Sequence, residues 1–420
     1  MQRGIRGFHA LEIFGLLALG LTVGSPALAQ IETADKDRAD SSSHAILQRL
    51  RTSPGKLADG HFYVPATLQT IQWGYLPNRK SKAILTVPSG SLVTFDCLSA
   101  EGMMEDQGRD PVKFFGRHGV SRSQVLDDAV EIASSNLVHD FDKDGPHIII
   151  GPVAIEGAQA GDVLKIEMIA FNIRVPYGVI CSEHGGGALS GEFPENAGRQ
   201  PGACTANPQL YNNVHTFIPI KDIKGKPFGI VHTSSGKEVH FPIDPFIGTL
   251  GAAPDTDDPV NSVPPSSFGG NLDFKELTAG STLYVPVQLA GGMFFIGDPH
   301  MAQGDGEVSL TAVEGSLRAT LKLSILKAGD AAIPGKGPFT QPIAENPDYW
   351  MPIGLDPDLN EAVKKAVRAS LKFLVDKMDM ERDTAMAYLS AATDFRISEV
   401  VDQVKGVYAR ISKKDFAKGP

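Results

Sequence analysis

The feature that most constrains the fold is a long series of short runs in which apolar and polar residues alternate, between about residues 60 and 326. Gly, Pro and Asp interrupt these runs at short intervals, which is typical of strands joined by turns. After the turn at 160–162, for example, apolar residues occupy every second position from Leu164 to Ala170. A side-chain period of two places them on one face of a half-buried strand. The pattern predicts a mainly β protein with a sandwich or barrel-like architecture.

Two further alternating runs predict a hairpin. Val308, Leu310 and Ala312 alternate with polar residues before Glu314-Gly315-Ser316, and the run from 317 to 325 alternates after it. Two such runs separated by a tight glycine-containing turn indicate antiparallel neighbours. One short helix is expected to interrupt the strands near residues 123–133.

The period changes near the C-terminus. A stretch rich in Pro and Gly ends with Asp-Pro-Asp at 356–358, and apolar residues then recur four apart from Val363 to Val375. This spacing predicts an amphipathic helix, followed by a second helix over 381–392 and a strand pair over 395–401 and 406–411. The predicted organisation is a signal peptide over 1–29, a polar lead over 30–58, a β-rich region with the candidate site over 59–326, a Pro/Gly-rich connector over 327–358 and a C-terminal α+β unit over 359–420.

The first 30 residues resemble a secretory signal peptide in composition. Arg3 and Arg6 precede an apolar stretch over 13–23, and a small-x-small pattern at 27–29 precedes Gln30. This order predicts export followed by cleavage. An uncleaved membrane anchor is the alternative, but the apolar core has only about half of the ~20 residues that a spanning helix needs. We therefore expect a periplasmic or secreted product without membrane attachment after cleavage.

The chain is acidic, with a formal net charge of −10 at pH 7. Loss of residues 1–29 removes two arginines and one glutamate and gives −11. Such a chain repels phosphate backbones, and no dense cluster of Lys and Arg offsets the charge, so no nucleic-acid partner is expected.

Cys97, Cys181 and Cys204 would enter an oxidising compartment, where three disulfide pairings are open. Cys181 and Cys204 are candidate partners because both lie in glycine-rich segments.

The richest polar cluster lies at residues 298–307. Asp298 and His300 are two residues apart, as are Asp305 and Glu307. In extended chain, each pair points to one face, and the glycines between them would allow the pairs to converge. Carboxylate and imidazole groups together suit zinc or a harder divalent ion. The alternative is an ordinary turn whose acids bind backbone N–H groups or face solvent.

Three further residues are candidates. Asn271 and Asp273 follow two glycines and share a face if the chain is extended, although an Asn-stabilised turn is an alternative. Asp96 lies within an apolar strand, where an unpaired charge would be costly. It therefore either meets a cation or a hydrogen-bond donor, or faces water. His147 is interpreted as a structural histidine beside a strand.

Several well-known catalytic motifs do not occur in the sequence. It contains no Gly-x-Ser-x-Gly, His-Glu-x-x-His, Gly-x-Gly-x-x-Gly or phosphate-binding Gly-Lys-Ser/Thr motif. The absence of these motifs argues against serine-hydrolase and nucleotide-dependent functions. Cys97 lies in an apolar run with no neighbouring base, which favours a buried structural thiol over a nucleophile.

An ordered series of motifs resembles the acetamidase/formamidase family of amide hydrolases. These motifs are Gly-Gly-Asn-x-Asp at 269–273, Gly-Ser-x-Leu-Tyr-x-Pro-Val at 280–287, and Gly-Asp-x-His-x-x-Gln-Gly-Asp-Gly-Glu at 297–307. Shorter matches extend the resemblance over roughly residues 80–411. The resemblance implies a β-rich fold, hydrolysis of a linear amide to ammonia and a carboxylate, and a divalent metal, often zinc.

The resemblance also implies site residues. Asp96, Asp298, His300 and Glu307 are the candidate metal ligands, while Asn271, Asp273, Asp305 and Glu307 are the candidate catalytic residues. Two positions depart from the family pattern: Phe268 stands where a histidine is often found, and Ser99 stands where an aspartate is expected. These departures leave open whether the metal site is intact and which amide is used.

The working hypothesis is therefore a metal-assisted amidase that acts on a formamide-like or acetamide-like substrate. One alternative is a hydrolase of lactams or larger amides. Another is a non-catalytic periplasmic binding protein on the same fold, because a fold does not determine a function. The oligomeric state is open, with a homo-oligomer among the alternatives.

Overall fold

Strands dominate residues 45–416, the part of the chain that this computed structural model describes. The predicted signal peptide and the first part of the polar lead lie outside these residues. The strands are β1 (Gly55–Ala58), β2 (His61–Val64), β3 (Ile71–Trp73), β4 (Tyr75–Leu76), β5 (Leu85–Val87), β6 (Ser91–Cys97), β7 (Ile148–Ile155), β8 (Val163–Ile173), β9 (Tyr177–Ser182), β10 (Val214–Asp222), β11 (Pro227–His232), β12 (Glu238–Pro242), β13 (Phe246–Ala252), β14 (Val260–Asn261), β15 (Gly269–Asn271), β16 (Thr282–Pro286), β17 (Phe294–Ala302), β18 (Val313–Glu314), β19 (Leu317–Leu326), β20 (Ile343–Glu345), β21 (Tyr349–Asp356), β22 (Asp394–Ile397) and β23 (Lys405–Ser412).

The α-helices are α1 (Pro111–Gly116), α2 (Asp127–Ala133), α3 (Leu359–Met378) and α4 (Arg382–Ala392). Helix α2 confirms a helix near residues 123–133, although it is shorter than expected and a 3₁₀ turn at Arg122–Gln124 precedes it. Among the described residues, no helix combines the length and the apolar character that crossing a membrane would require.

Two large sheets contain almost all of the strands. The first has ten strands in the order β1-β2-β6-β19-β8-β16-β20-β21-β23-β22. The second has eleven strands, with β12-β11-β10-β9-β18-β17-β13-β15 as its main path and β7 joining β3 and β5 to β17. Pairing is antiparallel except between β2 and β6 and between β5 and β7. The mainly β prediction is confirmed, and neither sheet closes into a barrel within residues 45–416.

One large apolar core lies between the two sheets. The predicted strand after residue 162 is β8, and Leu164, Ile166 and Met168 all point into this core. Phe95 of β6 meets Phe294 of β17 across the gap, with ring centroids 5.6 Å apart. Because β6 and β17 belong to different sheets, this contact shows the face-to-face packing directly. The core holds β17 rigidly, and β17 carries the central residues of the candidate site.

The C-terminal region is attached to the first sheet rather than separate from it. Asp358 accepts a hydrogen bond from the Glu361 N–H at 3.0 Å and caps α3, which confirms the helix predicted from the four-residue spacing. The second helix and the strand pair β22–β23 are also present. Strand β23 pairs with β21, whose residues lie in the stretch predicted as a connector. The chain between β22 and β23 therefore starts from a fixed sheet edge.

The predicted hairpin over residues 308–325 is wrong. Strand β19 is present, but it pairs with β6 and β8, whereas the two-residue strand β18 pairs with β17 and β9. Residues 308–312 form no strand, and Leu310 has a φ of 117°. A residue at positive φ breaks the alternation of a strand. The segment instead curves along the wall of a cavity that Leu310 and Thr311 help to line.

Candidate active site

A cavity of about 500 Å³ opens between the two sheets and the segment that follows β22. Three neighbouring strands of the second sheet form its floor: β15, β13 and β17. Asp298 and His300 lie on β17 two residues apart, and both side chains enter the cavity although Asp298 has a positive φ. Both residues line it, and both are almost fully buried. The prediction that this pair shares a face agrees with the structure.

His300 lies between two groups of carboxylates. Its Nε2 is 3.1 Å from Asp298 Oδ2 and 3.0 Å from Glu314 Oε1. Its Nδ1 is 3.1 Å from Gln303 Oε1 and 3.8 Å from Asp273 Oδ1. Since an amide oxygen only accepts hydrogen bonds, the contact with Gln303 indicates a proton on Nδ1. Burial alone would lower the pKa of His300, but Asp298 and Glu314 outweigh it and raise that pKa well above its usual value. Nε2 therefore donates its proton to these carboxylates in the metal-free protein, and it would have to lose that proton to bind a cation.

Asp273 and Glu307 complete the second group. One oxygen of each carboxylate and one nitrogen of His300 all lie within 4.8 Å of one another, as do ligand atoms of Asp298, His300 and Glu314. Both oxygens of Asp273 and Oε2 of Glu307 are buried without a hydrogen-bond partner among residues 45–416. Orphaned buried carboxylate oxygens are costly unless something else binds them.

The backbone is strained at three of these carboxylates. Asp273 has a φ of 42°, Asp298 a φ of 56° and Glu307 a φ of 47°. Residues other than glycine adopt this left-handed region only at a cost of roughly 1–3 kcal/mol each, and such residues cluster at functional sites. Aspartate tolerates the region better than most residues do. With these backbone conformations, all three side chains point toward His300. The surrounding structure holds the backbone in place and offsets the conformational cost.

Gly248 of β13 makes room for this convergence. A Cβ atom added at this position would collide with Asp273 Oδ1 and Asp298 Oδ2 and would lie 2.9 Å from His300 Cε1. Only a residue without a side chain therefore lets the three groups meet. The hydrogen atoms of Gly248 face a space that is bordered by carboxylate oxygens on two sides.

The loop between β22 and β23 forms another wall. Val401, Asp402 and Gln403 line the cavity. Asn271 Nδ2 donates to Asp402 Oδ2 at 2.6 Å, while Thr249 donates to the Asn271 side-chain oxygen. Asn271 therefore orients Asp402, and its own amide is fully occupied. The predicted shared face of Asn271 and Asp273 places both at the cavity, but only Asp273 has unpaired oxygens there.

The acidity of these groups is strongly altered. Burial raises the pKa of Asp273 and of Glu307 well above their usual values, and their mutual repulsion adds to the effect on Asp273. Burial also raises the pKa of Glu314 to about 7 and that of Asp402 to about 8. Burial would raise the pKa of Asp298 too, but His300 and His147 outweigh it and lower that pKa below its usual value. Such perturbation in a cleft is typical of functional sites.

Sequence reasoning missed Asp402 of the β22–β23 loop and two further members of this site. Glu314 was placed in a hairpin turn, but pairing of β17 with β18 sets it opposite His300. His147, interpreted as structural, lines the cavity with Nε2 3.9 Å from Asp298 Oδ2, and its Nδ1 contacts Ser262 Oγ at 2.9 Å. Neither residue has a local signal, because each reaches the site through long-range pairing.

Asp305 lies apart from the other candidates. Its carboxylate is 2.8 Å from Lys275 Nζ and 3.6 Å from Arg396 Nη1, and the side chain is 37% exposed. It lines a separate surface groove together with Gly304 and Val308. The sequence predicted that Asp305 and Glu307 would point the same way, but the positive φ of Glu307 turns their side chains apart. A catalytic role for Asp305 stays a prediction, and no contact between Asp305 and His300 supports it.

Asp96 does not join the cavity either. It is fully buried on β6, with Oδ1 2.7 Å from Arg318 Nε and Oδ2 3.0 Å from Arg318 Nη2. Tyr63 donates to Oδ2, and Arg174 Nε is 3.9 Å from Oδ1. Of the two alternatives open for Asp96, the structure favours a cation and donors, but the cation is arginine. Its carboxylate is therefore already occupied, which corrects its assignment as a metal ligand.

The two departures from the family pattern have structural counterparts. Phe268 packs in an apolar cluster with Leu76, Ile149 and Phe295. Ser99 Oγ accepts a hydrogen bond from the Glu101 N–H at 3.2 Å. Cys97, Cys181 and Cys204 are all free thiols in the described chain, so the suggested bond between Cys181 and Cys204 is absent there.

The residues around His300 fit a divalent cation. Imidazole and carboxylate groups are common zinc ligands, and catalytic zinc sites use three of them and leave one position open. The proton on Nδ1 bound to Gln303 is the outer contact that ligating histidines usually make. The orphaned oxygens and the space at Gly248 supply the charge and the room.

A large cavity lined by several acids with perturbed pKa values, on a mainly β fold, is typical of an enzyme active site. The family model described as the Acetamidase/Formamidase family matches residues 255–411. This chain is 26% identical to a formamidase of Methylophilus methylotrophus in an alignment 327 residues long, which covers 64% of this chain and 76% of that protein. It is 27% identical to an acetamidase of Mycolicibacterium smegmatis in an alignment 237 residues long, which covers 47% of this chain and 57% of that protein. These matches show that the chain is an amidase that resembles the acetamidase/formamidase family.

Solved structures agree in fold. An acetamidase of Yersinia enterocolitica superposes with a TM-score of 0.63 at 25% identity, covering 85% of this chain and 93% of that one. An acetamidase of Bacillus halodurans gives a TM-score of 0.62 at 24% identity, covering 84% and 98%. The architecture described above is therefore shared across most of the length of both proteins.

Proposed function

We propose that this protein hydrolyses the carbon–nitrogen bond of a linear amide and releases ammonia and a carboxylate. The observation that supports this best is the convergence of Asp298, His300 and Glu314 beside Asp273 and Glu307 in one buried cavity. The formamidase and acetamidase relatives carry names that agree with it.

We further propose that Asp298, His300 Nε2 and Glu314 would hold a divalent cation, with zinc as the best match to these donors. Such an ion polarises a carbonyl and lowers the pKa of water when bound. His147 lies behind Asp298 and supports its charge. Glu307, predicted as a ligand, has its free oxygen on the other side of His300, toward Asp273, and is assigned to proton transfer instead.

Asp273 and Glu307 are suited to move protons. Burial raises the pKa of both carboxyl groups, and Glu307 adds to the effect on Asp273. Neighbouring carboxyl groups with altered acidity can divide the work, one acting as base and the other as acid. The base would accept a proton from the attacking water. The acid would give its proton to the departing nitrogen, which must leave as an amine rather than as an anion. Asn271 positions Asp402 beside this pair and keeps the wall of the cavity in place.

A larger substrate is a second candidate, and the size of the cavity favours it. At about 500 Å³, the cavity lies in the range of about 300–1,000 Å³ typical for drug-sized ligands. Formamide and acetamide have three and four heavy atoms and would leave most of this volume to water. A longer amide or a lactam would fill it better.

The experiment is an ammonia-release assay on metal-analysed protein, with formamide, acetamide, longer amides and lactams as substrates. We expect turnover of at least one amide, loss of turnover after chelation and recovery on adding zinc. Full activity in a metal-free preparation would refute the role of the ion. A thermal shift with one of these compounds but no turnover of any would favour a binding protein instead.

Export to the periplasm or the medium is a separate proposal. It depends on the basic, apolar and small-residue order of the first 30 residues. Cell fractionation and N-terminal sequencing of the mature protein test it, with a chain beginning at Gln30 as the expected result. Full-length protein in the cytoplasm would contradict it.

A further inference from the structure

A second group of potential metal ligands lies in the same protein, away from His300. It consists of Asp106, Cys181 and His215, whose ligand atoms all lie within 4.8 Å of one another. We call it the Cys181 cluster. Asp106 and Cys181 line the large cavity, and none of the three residues takes part in the amide hydrolysis proposed above.

The register of the second sheet sets two of these residues side by side. Strand β9 pairs with β10 so that Cys181 and His215 are direct partners. Directly opposed residues of an antiparallel pair have Cβ atoms about 4.5–5.5 Å apart and point to the same face. The ring of His215 lies edge-on to Phe114, with centroids 5.6 Å apart, which limits its rotation. The thiol and the imidazole are therefore held together by the sheet.

Asp106 approaches this pair from a 3₁₀ turn at Glu105–Gln107. Its Oδ2 is 2.9 Å from His215 Nε2 and accepts a hydrogen bond from Asn213 Nδ2 at 2.8 Å. Its Oδ1 is buried and has no hydrogen-bond partner anywhere in residues 45–416. Asp106 as a whole is only 6% exposed. A buried carboxylate oxygen left without a partner is costly, and a bound cation would satisfy it.

We propose that Asp106, Cys181 and His215 form a second metal site, selective for zinc or another thiolate-binding divalent ion. Sulfur, imidazole and carboxylate are the ligand types of tetrahedral zinc sites. A thiolate disfavours Mg²⁺ and Ca²⁺, which prefer oxygen ligands, so this cluster differs in selectivity from a purely oxygen-based site. Cys181 must lose its thiol proton when the ion binds, so uptake releases that proton to solvent.

The site would leave one coordination position toward the cavity. Three protein ligands with one open position is the arrangement of zinc ions that contact a substrate or water. Glu101 and Glu183 also line this part of the cavity and add carboxyl groups around the position. The cavity would then hold a cation at each of two ligand groups.

Cobalt binding tests the proposal without reference to amide turnover. Co²⁺ bound to a thiolate gives a sulfur-to-metal charge-transfer absorption in the near ultraviolet, which carboxylate and imidazole ligands do not give. We expect this band when the chelator-treated, reduced protein is titrated with Co²⁺. Cys181→Ala should abolish it, whereas Cys204→Ala, which changes an exposed thiol outside the cluster, should leave it unchanged.

A second variant keeps the thiol in place. His215→Ala should weaken Co²⁺ binding at the thiolate site at least tenfold, since even loss of an outer contact of a ligand costs about 10–100-fold in affinity. No band in the unaltered protein, or a band of equal intensity in Cys181→Ala, would overturn the proposal. Unchanged affinity in His215→Ala would overturn the assignment of His215 as a ligand. Asp106 would then only orient a structural histidine.

Discussion

Two buried networks of acidic residues in this protein differ in whether cationic side chains neutralise them. Around Asp96, arginine side chains face the carboxylates: Arg318 binds Asp96 through two nitrogens, and Arg174 Nη2 is 2.8 Å from Asp128 Oδ2. Around His300, five acids surround the cavity with two histidines: Asp273, Asp298, Glu307, Glu314 and Asp402. Both networks are buried, but only the first has matching cations among its own residues.

This difference separates a structural role from a functional one. A buried ion pair with good geometry is stable only as a pair, so its members stay together and bind nothing else. A group of buried acids without enough cations is costly, and it persists where a ligand or a proton completes it. Burial of a carboxylate alone therefore does not identify a functional site. In this protein, the carboxylates paired with arginine are structural, and those without arginine line the candidate active site.

The largest expected effect is on activity. His300→Ala should lower turnover of the preferred amide by at least about 10³-fold, roughly 4 kcal/mol, because it removes the group that joins both sets of carboxylates. Steady-state ammonia release measures this. His232→Ala is the matched control, since His232 is exposed on β11 outside the cavity. Equal losses in the two variants would mean that the His300 cluster is not the active site.

The second prediction contrasts the two networks in stability. Asp96→Asn should lower the free energy of unfolding by about 3–5 kcal/mol, because it leaves Arg318 as a largely buried cation without its carboxylate partner, while Arg174 keeps Asp128. Asp273→Asn, also near-isosteric and compatible with positive φ, should leave the stability of the metal-free protein unchanged or raise it. Urea denaturation measures both. A comparable loss in Asp273→Asn would remove the distinction between the networks.

A third prediction concerns the space beside His300. Gly248→Ala should lower activity by about 10²-fold or more, because a displacement of about 1 Å at a catalytic site can cost that much. The added methyl group would collide with Asp273 and Asp298. Gly191→Ala provides a control, since a Cβ there meets nothing within 4 Å. Activity within twofold of the parent for Gly248→Ala would show that the cluster tolerates expansion.

A fourth prediction uses the altered acidities. Glu399 has a pKa raised to about 7, mainly by burial, and Asp402 one raised to about 8 by burial and by Glu399. Because the folded state then binds more protons than the unfolded state, the metal-free protein should lose stability as pH rises from about 4 to 8. Thermal denaturation in a chelator at pH 5 and pH 8 tests the sign. Added zinc should stabilise the protein more at pH 8, and a higher melting temperature at pH 8 without metal would contradict the prediction.

The smallest effect is expected at Asp305. Asp305→Asn should change activity less than tenfold and the free energy of unfolding by about 0–1 kcal/mol, as for other partly exposed ion pairs. Its partners Lys275 and Arg396 lie outside the cavity, and the carboxylate is 37% exposed. Ammonia release and urea denaturation check both values. A loss as large as that of His300→Ala would restore the catalytic role predicted from the sequence.

Local patterns in the sequence predicted the parts of the fold that depend on local physics. Strand β8 follows from alternation after a turn, and α3 follows from four-residue spacing behind an Asp-Pro-Asp start. The hairpin failed because residues 308–312 alternate like a strand, while the positive φ of Leu310 is not visible in its residue type. Periodicity reports which side chains alternate, but it does not report which strand is the partner.

The site follows the same rule. Asp298 and His300 could be predicted because they lie two residues apart on one strand. Glu314, His147 and Asp402 lie 16, 151 and 104 residues from Asp298 in the sequence, and only strand pairing and loop packing bring them to it. Asp96 was assigned to the metal because its sequence context cannot show which cation it meets.

The loop between β22 and β23 has a consequence for recombination among relatives. Gly306 N–H donates to the carbonyl oxygens of Ile397 and Ser398, Val400 N–H donates back to Gly306, and Asp402 bonds Asn271. Segments that are about a hundred residues apart in sequence therefore form one cavity and depend on each other. A chimera that takes its last sixth from a relative would exchange a wall of the substrate cavity along with its helices.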